Sequence, residues 1–286
     1  MYASSFDYHR PKTLAEAVRL LGEIKDAKLL AGGHSLIPAM KLRVSSASAL
    51  VDISGLEDLV GIAAAGPTLT LGALTTHAAV ASSDVVKKSC PVLAETAAHI
   101  GDAQVRNRGT IGGSVAHADP AADYPTVLLA LGATLVAEGP KGRRDIAAHD
   151  FFVDLFTTAL QPGEIVVAVK VPTYGKGTGG AYLKHRHPAS SYAVVGVAAL
   201  VDVKDGKCAK ASLVVGGVTT RPVRAAAAEA ELVGRPATDA SFAAAAGQIA
   251  GALEDPLSDP YASGDFRKHL ASVLTRRALA TAAGRA

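Results

Sequence analysis

Two glycine doublets in similar surroundings are the most informative feature of the sequence. The first lies in residues 31–36, AGGHSL, and the second in residues 110–115, TIGGSV. Glycine lets the backbone approach a ligand closely and adopt positive φ, and successive exposed N–H groups form a site for anions. A following hydroxyl adds a donor. Two such segments facing each other could hold a pyrophosphate, whereas either one alone could equally be a tight turn.

Two carboxylates follow the second doublet. Asp119 and Asp123 flank Pro120, and either could accept hydrogen bonds from ribose hydroxyls, as acidic residues do in nucleotide sites. Each could instead cap the helix expected from Pro125. A cap or turn is the favoured interpretation for Asp119, whereas the two roles stay open for Asp123. Acid–base chemistry by the pair is discounted, because the sequence gives no sign of a raised pKa.

The segment 184–187, KHRH, offers two imidazoles on alternate residues of a strand, where they would face the same side. No third or fourth ligand accompanies them, so a metal site is disfavoured. Lys184 and Arg186 are typical of a solvated strand face, with a phosphate contact as the minority alternative. Tyr192 is expected in the core or in an interface, and the triplet 106–108, RNR, in a surface turn.

Composition and motif searches disfavour several classes of function. The 286 residues are 49% hydrophobic and 19% charged with a net charge of +3, which suits a globular protein and gives no electrostatic case for nucleic acid. Cys90 and Cys208 are too few for a structural zinc site or an iron–sulfur cluster. The motifs GxxxxGKS/T, HExxH and GxSxG are absent. We expect a soluble, cytoplasmic protein, since the longest apolar stretch, 127–137, is shorter than the roughly 18 to 20 residues of a membrane span.

The elements that must position the doublets are short. A strand at 27–31 leads into the first doublet, and a helix at 35–42, interrupted at Pro38, follows it. The stretch 101–119 is dense in glycine and polar residues, which predicts a long ordered loop around the second doublet. A helix is expected at 125–131.

The second part of the chain begins after a glycine-rich segment. Residues 174–180 carry four glycines in seven positions, which favours a linker and a domain boundary. Asp205-Gly206 between two apolar runs predicts a β-hairpin. Helices are expected at 223–232, 241–253 and 265–282. Both parts mix strands and helices in a way that indicates an α+β protein rather than a doubly wound parallel sheet.

The two doublets and their flanks resemble a known family. The segments AGGHSL and TIGGSV, with QVRNRGTIGG leading into the second and HADPAADYP following it, are similar to the FAD-binding medium subunit of molybdenum hydroxylases. The likeness is greatest to the carbon monoxide dehydrogenase branch and extends over essentially the whole chain. Ser114 and the pair His34-Ser35 depart from the xanthine dehydrogenase branch, which tends to have Asn and Thr-Glu there.

The resemblance implies an α+β fold in two domains. Residues 1–177 would form the two-subdomain FAD-binding fold of the vanillyl-alcohol oxidase (PCMH-type) superfamily, divided roughly into 1–55 and 56–177. Residues 178–286 would form a smaller C-terminal domain of the carbon monoxide dehydrogenase flavoprotein type, an antiparallel sheet with helices.

The resemblance also implies a noncovalent FAD site. Its residues would be Ala31, Gly32, Gly33, His34, Ser35, Leu36, Ile100, Gly101, Thr110, Ile111, Gly112, Gly113, Ser114, Asp123, Lys184 and Tyr192. The pyrophosphate would lie between the doublets, with Ile100 and Gly101 on the adenine and ribityl side. Asp123 would bond the adenosine part, Lys184 would lie near the flavin ring, and Tyr192 would shield the isoalloxazine. No catalytic residue and no metal ligand is implied.

The function implied by the resemblance is electron transfer within a complex. The chain would accept electrons from two [2Fe–2S] clusters on a small subunit and pass them to a quinone or another acceptor. A large subunit with molybdopterin would oxidise the substrate, carbon monoxide to carbon dioxide in this branch, within a dimer of heterotrimers. A xanthine-, nicotinate- or aldehyde-type hydroxylase and a stand-alone nucleotide-binding flavoprotein are the alternatives. No nucleic acid is involved, and membrane association is expected only through the complex.

Overall fold

The computed structural model describes residues 2–286. The first part holds a three-stranded parallel sheet in the order β1-β3-β2. Its elements are β1 (Asp7–His9), α1 (Leu14–Glu23), β2 (Lys28–Leu30), α2 (Leu36–Lys41) and β3 (Ala49–Asp52). The predicted interruption of α2 is wrong. Pro38 lies in the first turn of α2, where no intrahelical amide donor is needed, so the helix continues past it.

The central part is built on a five-stranded antiparallel sheet in the order β4-β5-β10-β6-β7. Its elements are β4 (Ile62–Ala65), β5 (Thr68–Gly72), α3 (His77–Ser82), α4 (Asp84–Ser89), α5 (Pro91–Ala98), α6 (Ala103–Arg108), α7 (Ile111–His117), α8 (Asp123–Ala130), β6 (Thr134–Gly139), β7 (Gly142–Ala147), α9 (Ala148–Phe151), β8 (Phe152–Asp154), β9 (Thr157–Thr158) and β10 (Ile165–Pro172). A short 3-10 turn precedes it at Glu57–Leu59.

The stretch 101–119 is mostly helical, so the prediction of a long loop is wrong. Asp102 begins α6 by accepting a hydrogen bond from the Val105 amide at 2.8 Å. Thr110 begins α7 in the same way, by accepting from the Gly113 amide at 3.1 Å. These side chains satisfy amides that a helix start leaves free, and they outweigh the low helix propensity of the glycines in α7.

The last part is a four-stranded antiparallel sheet, β11-β12-β13-β14, with three helices. Its elements are β11 (Thr178–Arg186), β12 (Ala193–Lys204), β13 (Lys207–Gly216), β14 (Val223–Arg224), α10 (Ala226–Leu232), α11 (Asp239–Gly247) and α12 (Gly264–Ala283). The hairpin at Asp205-Gly206 is confirmed. The predicted linker is too long, because β11 already begins at Thr178. The segment expected as one helix at 223–232 begins as a strand, and the helix expected at 241–253 ends at Gly247, before a 3-10 turn at Ala250–Ala252.

The C-terminal sheet is covered on both faces. One face packs on α10, α11 and α12 in a core that includes Phe242 and Leu279. The other face joins the core of the central part through Tyr182, Ala198 and Val214. Here α8 approaches so closely that a Cβ on Gly216 would lie 2.0 Å from Thr126 Oγ1. The mixed architecture therefore confirms the α+β prediction. In residues 2–286, no helix is long and apolar enough to cross a membrane.

Candidate functional site

A cavity of about 520 Å³ lies where the three parts of the chain meet. Its walls come from the β2–α2 connection, the start of α7, the start of α8 and the segment 190–192 of the C-terminal part. All of the predicted site residues line it except Ile111 and Lys184. Ile111 is fully buried below the wall. The topology thus brings together segments that lie far apart in the sequence.

The first glycine doublet presents a cluster of free amides. Among residues 2–286, the backbone N–H groups of residues 32–36 donate to no other group. Gly33 has a φ of +75°, in the left-handed region that glycine tolerates, and this turns the chain between β2 and α2. Consecutive free amides at such a turn form a concave site for an anion. His34 is exposed, with Nδ1 3.3 Å from the Gly32 carbonyl oxygen.

The second doublet differs, because its amides are already bonded inside the protein. The bonds are Ile111 N to Thr75 O (3.0 Å), Gly112 N to Ala73 O (2.8 Å), Gly113 N to Thr110 Oγ1 (3.1 Å) and Ser114 N to Thr110 O (3.0 Å). The expectation that both doublets supply free amides is therefore wrong for the second. It offers the cavity the Ser114 hydroxyl, which makes no hydrogen bond within residues 2–286.

The glycines of both doublets allow the two segments to touch. A Cβ on Gly32 would lie 2.1 Å from the carbonyl oxygen of Arg108, immediately before the second doublet. A Cβ on Gly113 would lie 2.9 Å from Thr110 Oγ1 and 3.8 Å from the Ala31 Cβ. The first doublet thus packs directly on the backbone that leads into the second, so the two segments lie side by side at the cavity.

Arg106 holds the turn at Ile100 and Gly101. Its Nη1 donates to the Ile100 carbonyl at 3.0 Å and to the Gly101 carbonyl at 3.3 Å. Gly101 has a φ of +48°. The triplet 106–108 was expected in a surface turn, but it lies in α6. Sequence reasoning therefore missed Arg106, since the pattern of the triplet does not indicate which carbonyls the guanidinium reaches.

Asp123 and Lys184 contact each other rather than separate parts of a ligand. The Lys184 Nζ donates to the Asp123 carboxylate at 2.9 Å, and the Tyr182 hydroxyl donates to it at 2.6 Å. Burial raises the pKa of Asp123, whereas the Lys184 ammonium and the Tyr182 hydroxyl act in the opposite direction. Asp123 is the first residue of α8 and makes no capping hydrogen bond. An extended FAD could not place its adenosine at Asp123 and its flavin ring at Lys184, because the two side chains touch.

Tyr192 forms part of the cavity wall contributed by the C-terminal part. Its side chain is 39% exposed, and the chain reaches it through Ser191, which has a φ of +60°. Burial and the nearby Asp119 carboxylate raise the pKa of Tyr192, and the Ser35 hydroxyl opposes that shift. Tyr192 therefore lies close to Ser35, in the segment of the first doublet, and lines the cavity where it could cover a planar ligand group.

The cavity is also lined by Asp119, which was a candidate in the sequence, and by His77, which had no signal of its own there. Asp119 makes the expected turn, accepting the Ala121 amide at 2.9 Å, and also lines the cavity. His77 lines the cavity from α3, with Nδ1 buried and without a hydrogen-bond partner in residues 2–286. Burial lowers the pKa of His77 to about 4. Only the packing of α3 against the start of α7 brings it here.

The two imidazoles of 184–187 face a tyrosine. The ring centroids of His187 and Tyr261 are 4.7 Å apart, and those of His185 and Tyr261 are 6.2 Å apart. The described residues, 2–286, contain no group of three or more His, Cys, Asp or Glu side chains arranged to hold a metal ion.

The donors of the cavity fit a dinucleotide. Five free amides and the Ser114 hydroxyl suit a pyrophosphate. The apolar side chains of Ile100, Val105 and Leu74 and the ring of Tyr192 suit planar aromatic groups. The unpartnered Nδ1 of His77 is a further polar group at the same site.

Comparisons with known proteins agree with this geometry. Residues 4–174 match the family model described as FAD binding domain in molybdopterin dehydrogenase, and residues 180–282 match the CO dehydrogenase flavoprotein C-terminal domain. The chain is 40% identical to the carbon monoxide dehydrogenase medium chain of Afipia carboxidovorans, over 100% of this chain and 99% of that one. It is 38% identical to the 6-hydroxypseudooxynicotine dehydrogenase complex subunit alpha of Paenarthrobacter nicotinovorans, over 100% and 97%.

A solved structure gives the same result for the fold. The structure is that of carbon monoxide dehydrogenase from Hydrogenophaga pseudoflava lacking the Mo-pyranopterin moiety of the molybdenum cofactor. It superposes with a TM-score of 0.97 at 40% identity, covering 100% of this chain and 99% of that chain. The family model covers more than half of the chain and the relatives span its full length, so the protein belongs to the family of FAD-binding flavoprotein subunits of molybdopterin dehydrogenases.

Proposed function

We propose that this chain is the electron-transfer flavoprotein of a three-subunit molybdenum hydroxylase of the carbon monoxide dehydrogenase type. The observation that carries the proposal is the cavity with five free amides at residues 32–36, within a chain whose full length is similar to carbon monoxide dehydrogenase medium chains. The chain would receive electrons from a small iron–sulfur subunit and pass them to a quinone or another acceptor. A large subunit would hold molybdopterin.

The pyrophosphate of FAD would be held by the free amides of the first doublet and by the Ser114 hydroxyl. The second doublet would act mainly through its packing, since Gly112 and Gly113 let α7 begin against the first segment. Tyr192 would cover one face of the ring and limit the access of water. Bound FAD supplies redox chemistry at its isoalloxazine ring, and the protein contributes position, charge and solvent exclusion. Asp123 and Lys184 would act together, as a buried pair at one end of the cavity.

The cysteines support an iron–sulfur centre on another chain. Cys90 and Cys208 are both fully buried. Burial raises the pKa of the Cys90 thiol to about 12, and it also raises the pKa of the Cys208 thiol. A [2Fe–2S] cluster takes four ligands, most often cysteine thiolates. Two [2Fe–2S] clusters would therefore belong to the small subunit, in a dimer of heterotrimers.

The sheets support the proposed division of the chain. The parallel sheet and the five-stranded sheet would form the subdomains 1–55 and 56–177 of an FAD domain. The four-stranded sheet and α10, α11 and α12 would form the C-terminal domain, 178–286. Both domains would be needed for a complete cavity, because the segment 190–192 supplies one wall.

A second candidate function has the same flavin chemistry on this chain but a different substrate for the complex. The 38% identity to a subunit of 6-hydroxypseudooxynicotine dehydrogenase favours it, since that relative also matches over the whole chain. Substrate oxidation would occur on the large subunit, so the residues of this chain do not discriminate between carbon monoxide and an organic substrate. A stand-alone flavoprotein is the third alternative.

The test is to co-express and co-purify the chain with the proposed large and small subunits. The visible spectrum, followed by acid release of the chromophore, measures FAD per chain. Assays with carbon monoxide, xanthine, nicotinate and an aldehyde then identify the substrate class. One FAD per chain and carbon monoxide oxidation support the proposal. FAD with oxidation of only an organic substrate selects the second function. Failure to bind added FAD in the assembled complex contradicts all three.

A further inference from the structure

Asp119 is distinguished from the other carboxylates of the cavity wall by its lack of a cationic partner. The acidic side chains that line the cavity are Asp119, Asp123 and Glu164. Asp123 is paired with Lys184, and Arg144 donates to both oxygens of Glu164 at 2.7 and 2.8 Å. Within residues 2–286, the Asp119 side chain accepts only the Ala121 amide, through Oδ1, and its Oδ2 makes no hydrogen bond.

The backbone fixes the position of this carboxyl group. The helix α7 ends at His117, and Ala118 then adopts a φ of +49° in the left-handed region. The turn that follows is closed by the Ala122 amide, which donates to the Asp119 carbonyl at 3.0 Å. Asp119 is therefore held at the cavity by a turn rather than by a salt bridge, and a change in its protonation state breaks no ion pair.

The charged and titratable groups around Asp119 come from four elements. His117 lies on α7, Asp123 on α8, and Tyr192 in the connection that follows β11. Lys28 on β2 lowers the pKa of His117 by its positive charge. Burial raises the pKa of Asp119, and the Ala121 amide and His117 oppose the shift. Burial lowers the pKa of His117. The pKa values of Asp119 and His117 are therefore shifted toward each other.

We propose that Asp119 is the acid–base residue of this cavity and exchanges a proton with the isoalloxazine ring of FAD. This inference rests on the proposed function, which supplies the cofactor and the electrons. Two electrons from the iron–sulfur subunit and one proton from the Asp119 carboxylic acid convert the neutral oxidised ring to a reduced ring with one negative charge. The Asp119 carboxylate takes the proton back when the two electrons leave for the quinone or other acceptor.

The test follows the midpoint potential of the flavin in the FAD-loaded full chain between about pH 5 and pH 8. The wild-type plot of potential against pH contains an inflection from the redox-linked ionisation of Asp119. The Asp119→Asn variant keeps its FAD and loses this inflection. Asp84→Asn, at an exposed carboxylate on α4, retains it. An inflection that persists in Asp119→Asn overturns the proposal.

A measurement on the wild type alone guards against a variant that fails to fold. The reduced-minus-oxidised infrared difference spectrum is expected to contain the carbonyl band of a carboxylic acid that loses its proton on reduction. Its absence from FAD-loaded wild type overturns the role of Asp119 and leaves the proposed function intact. A wild-type chain that binds no FAD, alone or in the complex, instead overturns the proposed function and this inference with it.

Discussion

Lys184 and Asp123 form a buried ion pair that joins the C-terminal sheet to the wall of the cavity. The Lys184 side chain is 1% exposed and the Asp123 side chain 6% exposed, with 2.9 Å between nitrogen and oxygen. Lys184 lies on β11 and Asp123 begins α8, so the pair ties the C-terminal sheet to the helix that forms part of the cavity wall. The shape of the cavity therefore depends on how the C-terminal sheet is docked.

Replacing Lys184 by methionine leaves the Asp123 carboxylate buried without its cation. We expect a loss of about 3 to 5 kcal/mol in the free energy of unfolding, as for other buried pairs that lose one partner. Urea unfolding of the full chain measures this. Lys88→Met, at an exposed lysine on α4, is the matched control and is expected to change stability by less than about 0.5 kcal/mol.

The double variant Asp123→Asn/Lys184→Met measures the interaction energy between the two side chains, apart from the contacts that each makes with other groups. It removes both charges, so it is expected to recover part of the stability that Lys184→Met loses. The Tyr182 hydroxyl still has an oxygen to donate to. Effects of the two single substitutions that simply add would show that the pair makes no energetic contribution of its own.

The close approach of Gly32 to the second segment predicts a large effect of one methyl group. The added Cβ of Gly32→Ala would meet the Arg108 carbonyl oxygen at 2.1 Å, so the first segment must move away. We expect the dissociation constant of FAD to rise at least about tenfold, which corresponds to a loss of about 1.4 kcal/mol or more of binding free energy.

The control for this prediction is Gly22→Ala in α1, where no atom of the described residues, 2–286, lies within 4 Å of the new Cβ. That substitution is expected to keep FAD and to stabilise the helix by about 0.5 to 1 kcal/mol. Full FAD occupancy in Gly32→Ala would show that the contact with Arg108 is not needed for the site.

Sequence patterns correctly predicted an element whose structure depends on neighbouring residues and failed where other interactions dominate. The Asp205-Gly206 hairpin was found from turn chemistry. The interval 101–119 was misjudged because its glycine content outweighed the caps at Asp102 and Thr110, which are visible in the sequence but weak alone. The helix expected at 223–232 starts as a strand because pairing with β13 overrides helix propensity there.

The cofactor cavity could be only partly predicted for a different reason. The glycine doublets carry a sequence signal, but the contact between Gly32 and the Arg108 carbonyl does not follow from it. The Gly112 and Ile111 amides donate to the carbonyls of Ala73 and Thr75, and no sequence rule places those two carbonyls there. The Asp123–Lys184 contact likewise joins residues 61 positions apart through the docking of two sheets.

Arg106 offers a third prediction, because its guanidinium holds two carbonyls of the turn at Ile100 and Gly101. Arg106→Gln shortens the side chain and removes both bonds. Hydrogen bonds from a charged donor contribute about 1.5 to 3 kcal/mol, so the dissociation constant of FAD is expected to rise about tenfold or more.

Titration of FAD into the apo-protein, followed by flavin fluorescence, measures the effect of Arg106→Gln. Arg19→Gln is the control, because Arg19 is half-exposed on α1 and, among residues 2–286, its side chain bonds only Glu23. An unchanged dissociation constant in Arg106→Gln, with the fold intact by circular dichroism, would mean that the turn holds its shape without the guanidinium.

The buried imidazole of His77 makes the free energy of unfolding depend on pH, with a sign that follows from its lowered pKa. Burial lowers its pKa to about 4 from the ordinary 6.5, so the unfolded chain binds more protons than the folded chain between those values. The free energy of unfolding therefore falls as the pH drops through this window, by about 3 kcal/mol from this residue. His77→Gln should flatten that part of the stability profile measured by urea unfolding, whereas His149→Gln, at an exposed imidazole, should leave it unchanged. A profile of His77→Gln as steep as that of the wild type would show that the imidazole is protonated inside the folded protein.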